Sequence, residues 1–331
     1  RGSCASCQRG QPLLILCVLF GQCLNPPFYA LYIGAYELSS KVGKLRFTQI
    51  YLIALGLSAL AMLLHIELSN TAGIVALAVA VTILGLPHGA LDFAVAKSLN
   101  YVTSVRTAII FLLVYTAVAA LSILFWIQLP GAALSLFLCI SVFHFSSDWR
   151  ATMPAYARIC LAAIVLSGPS VLYSSIVLNL FVALLVSNGL ASLIIQAMQL
   201  IFGLAFSGFI YFVILSSKNN NEKSNWQLIE WTGLIISSLL LTPLLHFTLY
   251  FCVLHSPKHL LDVSKILRVS FAKVIVVSLP FVMLTLLLAG VLFKLIATED
   301  IDVGLLRWTF IGLFGLTMSH MLLIHLWHRA K

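Results

Sequence analysis

AGIVALAVAVTILGLPHGALDF, residues 72–93, decides how the rest of the chain is read. From Ala72 to Leu84 no side chain carries a charge. The next turns then bring Pro87, His88 and Asp92, with His88 and Asp92 four positions apart. The stretch is apolar enough for a bilayer, and it ends in residues that a bilayer interior penalises. Composition settles the environment: 61% of the 331 residues are hydrophobic and 9% are charged, against about 25% charged in soluble domains. No soluble fold of this length hides so much apolar surface. Apolar runs of about 20 residues, the length that crosses a bilayer as helix, recur along the chain. The expected fold class is all-α, a polytopic integral membrane helical bundle with about ten spans.

Outward from residues 72–97, further spans are expected near 47–66, 105–128, 131–146, 157–175, 190–216, 227–242, 244–262, 271–294 and 305–327. Residues 177–188 read as a short non-spanning helix, and Pro243 as the turn of a tight hairpin. Basic residues fall in alternate connections: Lys41, Lys44 and Arg46; Lys97 and Arg106; Arg150 and Arg158; Lys218 and Lys223; Lys258, Lys265, Arg268 and Lys273; then His328, Arg329 and Lys331. The intervening connections, with Glu67 and Glu299-Asp300-Ile301-Asp302, are nearly bare of Lys and Arg. The positive-inside rule makes the basic side cytoplasmic and predicts a multi-pass protein of the cell inner membrane. The net charge of +9 is thereby accounted for without nucleic acid as a partner.

Residues 1–46 begin at Arg1 rather than Met and hold Cys4-x-x-Cys7 and the Asn25-Pro26-Pro27 break. They are set apart as an ill-defined N-terminal segment, either non-native or a weak extra span, from a membrane-embedded catalytic domain over 47–331. A lone CxxC is weak evidence for metal. Cys17, Cys23, Cys139, Cys160 and Cys252 are scattered in apolar runs and read as small hydrophobes rather than a disulfide framework.

Seven of the nine histidines fall toward the inner side of this topology, and four compact polar motifs hold most of them: GLPHGALDF (85–93), VFHFSSDWR (142–150), FCVLHSPKHLLD (251–262) and SHMLLIH (319–325). His255 and His259 are four apart, so one helix face offers both imidazoles to one ion. His88 and His144 come from other helices at similar depth, and the four together are expected to make a metal site in the bundle core. Asp92 and Asp148 are ligands or partners that orient a ligating ring; the plainer reading of Asp148 is an interfacial pair with Arg150. His65 and His246 are expected to be ordinary structural residues, and Asp262 a surface charge beside Lys258 and Lys265. Pro87 bends its span, and Gly85 and Gly89 admit another backbone closely.

Imidazoles suit Zn, Cu, Fe or Ni. Four neutral histidines without a thiolate make a cationic site that, with Fe(II), leaves positions for dioxygen. A site reached from lipid suits an apolar substrate. Phe93, Phe143, Phe145, Trp149, Tyr250, Phe251, Met318 and Met321 flank the motifs, as packing or as tunnel lining. The residues alone lead to a membrane non-haem metal site and an oxidase, and name no substrate. Rival readings are a membrane transporter using a His/Asp relay, a non-enzymatic accessory factor, and a bis-histidine haem protein. A di-iron desaturase is disfavoured, because HxxHH is absent.

GLPHGALDF, the His144-Phe145 step and YFCVLHSPKH, in this order between apolar spans, resemble the bacteriorhodopsin-related-protein-like family, the Brp/Blh-type β-carotene 15,15′-dioxygenases, over roughly residues 72–327. The resemblance implies cleavage of the central double bond of β-carotene by O2 to two molecules of retinal, with a functional link to a retinal-binding rhodopsin. It implies Fe(2+) held by His88, His144, His255 and His259. His320 matches a histidine before Met in the family's last span. The sequence departs from the pattern at HFSSD, where a glycine-containing step is expected, and this puts the role of Asp148 in question.

Overall fold

The computed structural model of the chain describes residues 26–65, 70–218, 225–296 and 301–329, without the side chains of 26–42, 70, 88, 218, 288, 289, 291–296, 301 and 324–329. The described residues are all-helical. In chain order they form α1 (Pro26–Leu63), α2 (Asn70–Ala80), a π-helical turn (Val81–Gly85), α3 (Leu86–Ala90), α4 (Asp92–Ser98), α5 (Val105–Gln128) and α6 (Pro130–Ser146). A 3-10 turn comes next (Ser147–Trp149), then α7 (Ala155–Ser167), α8 (Pro169–Leu172), α9 (Ser174–Ala183), α10 (Asn188–Lys218) and α11 (Asn225–Leu240). The chain ends with α12 (Pro243–Thr248), a second π turn (Leu249–His255), α13 (Ser256–Leu267), α14 (Phe271–Ile296) and α15 (Ile301–Arg329). By compactness the chain divides into Arg1–Lys44 and Leu45–Lys331. Of the first unit only the helical backbone from Pro26 is described; the core and the histidine motifs belong to the second.

Among the described residues, five helices are long and apolar enough to cross a membrane: Gly43–Leu63, Val105–Gln128, Pro130–Trp149, Ala155–Leu172 and Asn188–Ser217. A sixth crossing is available if Pro243–Leu267 and Phe271–Leu287, bent by 102° at their junction, count as one broken span. The expected count of about ten is therefore not confirmed. The difference has local causes. The expected span 72–97 is broken into α2, a π turn, α3 and α4, and α11 is 16 residues long. The bend after α13 is made by Arg268 in the left-handed region, φ 55°.

Helix boundaries reflect the local chemistry. Ser104 caps α5 by accepting from Thr107 N–H, while the Thr107 hydroxyl accepts from the Ser104 N–H, a capping box. Proline opens α6, α8 and α12, where a missing N–H costs nothing. Pro243 does stand at the break after α11, as expected. In lipid there is no hydrophobic drive between helices, so shape and buried polar bonds hold the bundle. Trp126 is fully buried, donates through Nε1 to the Leu184 carbonyl at 3.0 Å, and meets Phe314 edge-on at 5.1 Å. The largest core joins Tyr51, Leu161, Ile164, Trp231, Leu241 and Tyr250. A smaller one, Leu91, Val95, Leu260, Val263 and Val274, packs α4 and α13 against α14. Outer faces stay apolar: on α5, Ile109, Leu113, Leu121 and Leu124 are all exposed.

Candidate functional site

Two π turns face each other in the bundle, Val81–Gly85 and Leu249–His255. A π turn inserts one residue into helical register and re-aims the side chains beyond it. The first precedes His88 and the second ends on His255. Pro87 comes directly after the first π turn on backbone that stays right-handed helical, so the π turn takes up the register that its missing N–H disturbs. The Ser256 hydroxyl donates to the Leu84 carbonyl and ties the two turns together. Gly85 makes room for this: a Cβ there would sit 2.7 Å from Phe251 Cε1. The close approach is thus by an aromatic ring rather than a backbone. Gly89 has only the Tyr115 hydroxyl at 4.0 Å.

Four imidazoles gather beside these turns. His144 comes from the last turn of α6, His255 from the second π turn, His259 from α13 and His320 from α15. Ring centroids lie 4.9 Å apart for His144 and His255, 5.3 Å for His144 and His320, and 5.4 Å for His259 and His320. The expected ligands His144, His255 and His259 are therefore brought together, and His320, expected only in a supporting place, stands among them. His88 lies on α3, and its side chain falls outside the described residues.

Each aspartate holds one ring. His255 Nδ1 donates to Asp148 at 2.9 Å to Oδ2 and 3.0 Å to Oδ1. His320 Nδ1 donates to Asp92 at 2.8 Å to Oδ1 and 3.0 Å to Oδ2. A tyrosine completes each chain: Tyr250 OH donates to Asp148 at 3.0 Å, and Tyr115 OH to Asp92 at 2.7 Å. The site thus contains two Tyr–Asp–His chains of the same design. Asp148 and Asp92 each reach across to a ring on another helix. Helix α6 ends at Ser146, and the 3-10 turn swings Asp148 toward His255. His255 is fully buried, and Asp92, His144 and His320 are buried too.

These bonds fix the donor chemistry. An ionised carboxylate only accepts, so Nδ1 of His255 and of His320 carries the proton. In the neutral rings Nε2 is then the lone-pair nitrogen, the tautomer a metal ligand requires. His255 Nε2 lies 3.2 Å from His144 Nε2. Two imidazole nitrogens each about 2.1 Å from a shared ion, and about 100° apart around it, stand about 3.2 Å from one another. With the His144 proton in place the contact is a hydrogen bond; with it gone, the two lone pairs have the spacing of neighbouring ligands. Among the described residues no three or more His, Cys, Asp or Glu side chains form a ready-made metal group. What these residues do provide is the ligand type, the tautomer and one ligand–ligand spacing that an imidazole-bound metal ion would need.

An apolar cavity of ≈ 110 Å³ adjoins the cluster. One face of α6 lines it at Leu134, Phe137, Leu138, Ser141 and Phe145, which spans about 16 Å at helical rise. Phe145 and Tyr250 form the wall shared with the histidines, their rings 4.7 and 5.9 Å from His255. Of the aromatic residues singled out in the sequence, these two line the cavity, whereas Phe143 is exposed and Phe251 stacks on His255.

Sequence reasoning missed a buried charge. Lys258, read as a cytoplasmic basic residue, is 7% exposed and donates to Glu230 at 2.6 Å. Glu230 also accepts from Trp149 Nε1 at 3.1 Å and from the Thr48 hydroxyl. The signal was a glutamate inside the apolar segment LIEWTGLII, a placement that lipid tolerates only with a partner. Other expectations stand as read: His246 is a buried structural residue, bonded to Val165 O at 2.9 Å and Ser237 Oγ at 3.1 Å. Asp262 pairs with Lys265 at 2.7 Å. Cys139, Cys160 and Cys252 are free thiols, with Cys139 exposed rather than buried.

Comparison with known proteins bears on the whole arrangement. The family model described as beta-carotene 15,15′-dioxygenase matches residues 79–328, which contain all four histidine motifs. A protein named beta-carotene 15,15′-dioxygenase, from uncultured marine bacterium 66A03, is 32% identical over 266 residues, covering 74% of this chain and 90% of that protein. No solved structure matches the chain.

Proposed function

The chain belongs to the β-carotene 15,15′-dioxygenase family of carotenoid dioxygenases, and from that premise we propose that it cleaves β-carotene at its central double bond with O2, giving two molecules of retinal. The observation that carries the site is the pair of Asp-held rings, which fixes lone-pair Nε2 atoms beside His144. His144, His255, His259 and His320 are the described residues that would hold Fe(II), with His88 as a further ligand from α3. When bound, iron supplies the one-electron and O2 chemistry that side chains lack.

The remaining work belongs to the chain itself. Asp148 and Asp92 keep Nδ1 protonated on their rings and stop those rings from turning. Tyr250 and Tyr115 bond the aspartates from the other side, so neither carboxylate is left to swing. The apolar cavity receives the polyene, and Phe145 and Tyr250 set its closest approach to the histidines. Water is excluded by the same apolar walls, which protects reactive oxygen chemistry from side reactions. No nucleophilic side chain is required. The catalytic domain is the membrane-embedded chain from residue 47 onward. Basic residues gather on the side of the histidine motifs, which supports placement in the cell inner membrane with the site toward the cytoplasmic half. The lipid bilayer then delivers the substrate, and a retinal-binding rhodopsin is the natural consumer of the product.

Expression in β-carotene-accumulating cells tests this. Parent protein should convert carotene to retinal, and His144→Ala and His255→Ala at equal membrane levels should not. Carotene persisting alongside folded, iron-supplied parent would overturn the reading.

A further inference from the structure

Glu230 does not line the cavity, and its bonds to Thr48, Trp149 and Lys258 go to none of the four rings. Its position is nonetheless unusual. It is a carboxylate 7% exposed in the middle of α11, with three donors on its two oxygens. The donors come from three separate elements. Thr48 is on α1. Trp149 comes directly after Asp148 in the 3-10 turn. Lys258 stands on α13 between His255 and His259, three residues after one and one before the other.

We propose that Glu230 is a positioning residue of the histidine site: a single carboxylate that locks the Asp148–Trp149 turn and the His255–His259 turn to each other. Asp148 must sit within 3.0 Å of His255 Nδ1 in both of its oxygens for the ring to be held. Those two residues lie on segments that no covalent turn joins. The Trp149 bond fixes one segment to Glu230, and the Lys258 bond fixes the other. Lys258 also sets the rotation of α13, and with it the angle at which His259 faces His320. A charge pair suits this task better than apolar packing, because it is directional and because each partner is costly to leave alone in an apolar surrounding. The proposal rests on the reading of the rings as an iron-holding set.

Its test separates anchoring from mere stability. The double variant Glu230→Leu/Lys258→Met removes both charges together, a change that buried pairs often tolerate in stability. In detergent, purified parent and variant are compared for thermal unfolding, Fe(II) affinity, and kcat and KM for β-carotene. The expected result is a variant that unfolds like the parent but binds Fe(II) about 10- to 100-fold more weakly. Its kcat should fall while KM is unchanged, since the cavity wall is untouched. A folded double variant with parental Fe(II) affinity and kcat overturns the proposal. Should the double variant not fold, Trp149→Phe removes one arm at nearly constant volume. It is expected to weaken Fe(II) binding several-fold, and parental affinity overturns the anchor. If the parent itself binds no iron, the metal reading fails while the anchor is still read directly. The downfield proton resonance of His255 Nδ1–H bonded to Asp148 should be present in the parent and shifted in Trp149→Phe, and an unshifted resonance overturns the anchor.

Discussion

Asp148→Asn and Asp92→Asn each exchange one carboxylate oxygen for an NH2 group at nearly constant volume. An amide offers a single acceptor where the structure uses two, and its NH2 repels the Nδ1–H of the ring. The ring then turns or changes tautomer, and Nε2 loses its lone pair toward the cluster. Each variant should fold and reach the membrane while retinal output falls by about 10- to 100-fold, read by extraction and chromatography. Tyr250→Phe and Tyr115→Phe remove one bond to each aspartate and should cost less. Their effects should match, because the two chains have the same design. At this scale the sequence is partly legible. Spacing and depth point to His144, His255 and His259, and proximity along the helix points to Asp92 and Asp148. The actual Asp–His pairs cross between helices, so no spacing rule matches Asp148 to His255 or Asp92 to His320. Tyr115 leaves no trace, because a tyrosine in an apolar span usually signifies packing.

The elements that matter most are the two π turns and the breaks beside them. Residues 72–97 read as one apolar span, and so they would be if hydropathy alone decided. The π turn, Pro87 and the break at Leu91 divide them instead and deliver Asp92 to α15. Hydropathy carries no record of hydrogen-bond register, so the division is invisible to it. Residues 105–128, bounded by a capping box and then a proline, read from sequence at their observed limits. Gly85→Ala tests the packing of the turns. Its methyl group would meet Phe251, which is wedged against Phe247 at 5.3 Å and His255 at 5.8 Å and has little room to move. Overpacking of this kind costs about 1–3 kcal/mol. Unfolding in detergent should occur at lower temperature than in the parent, with His255 displaced and retinal output reduced. Gly89→Ala, whose methyl group would make only ordinary contact with the Tyr115 hydroxyl at 4.0 Å, should leave both unchanged and serves as the control.

At the scale of the whole molecule, the bundle places a long apolar cavity next to a buried, carboxylate-braced histidine cluster. Helix α6 is common to both: its apolar face lines the cavity and its last turn carries His144. Narrowing the cavity away from the histidines separates the two functions. Val177→Phe should raise KM for β-carotene and leave Fe(II) affinity at the parental value. The buried Glu230–Lys258 pair shows what composition conceals at this scale. A count of basic residues assigns Lys258 to orientation, and only the fold reveals it as part of the frame around the site.

The most direct test is retinal formation by the purified protein as Fe(II) is added, parent beside His320→Gln. The account predicts activity that rises with iron, saturates stoichiometrically in the parent, and is lost in His320→Gln even though that protein still folds. Activity indifferent to iron, or a His320→Gln protein as active as the parent, would contradict it.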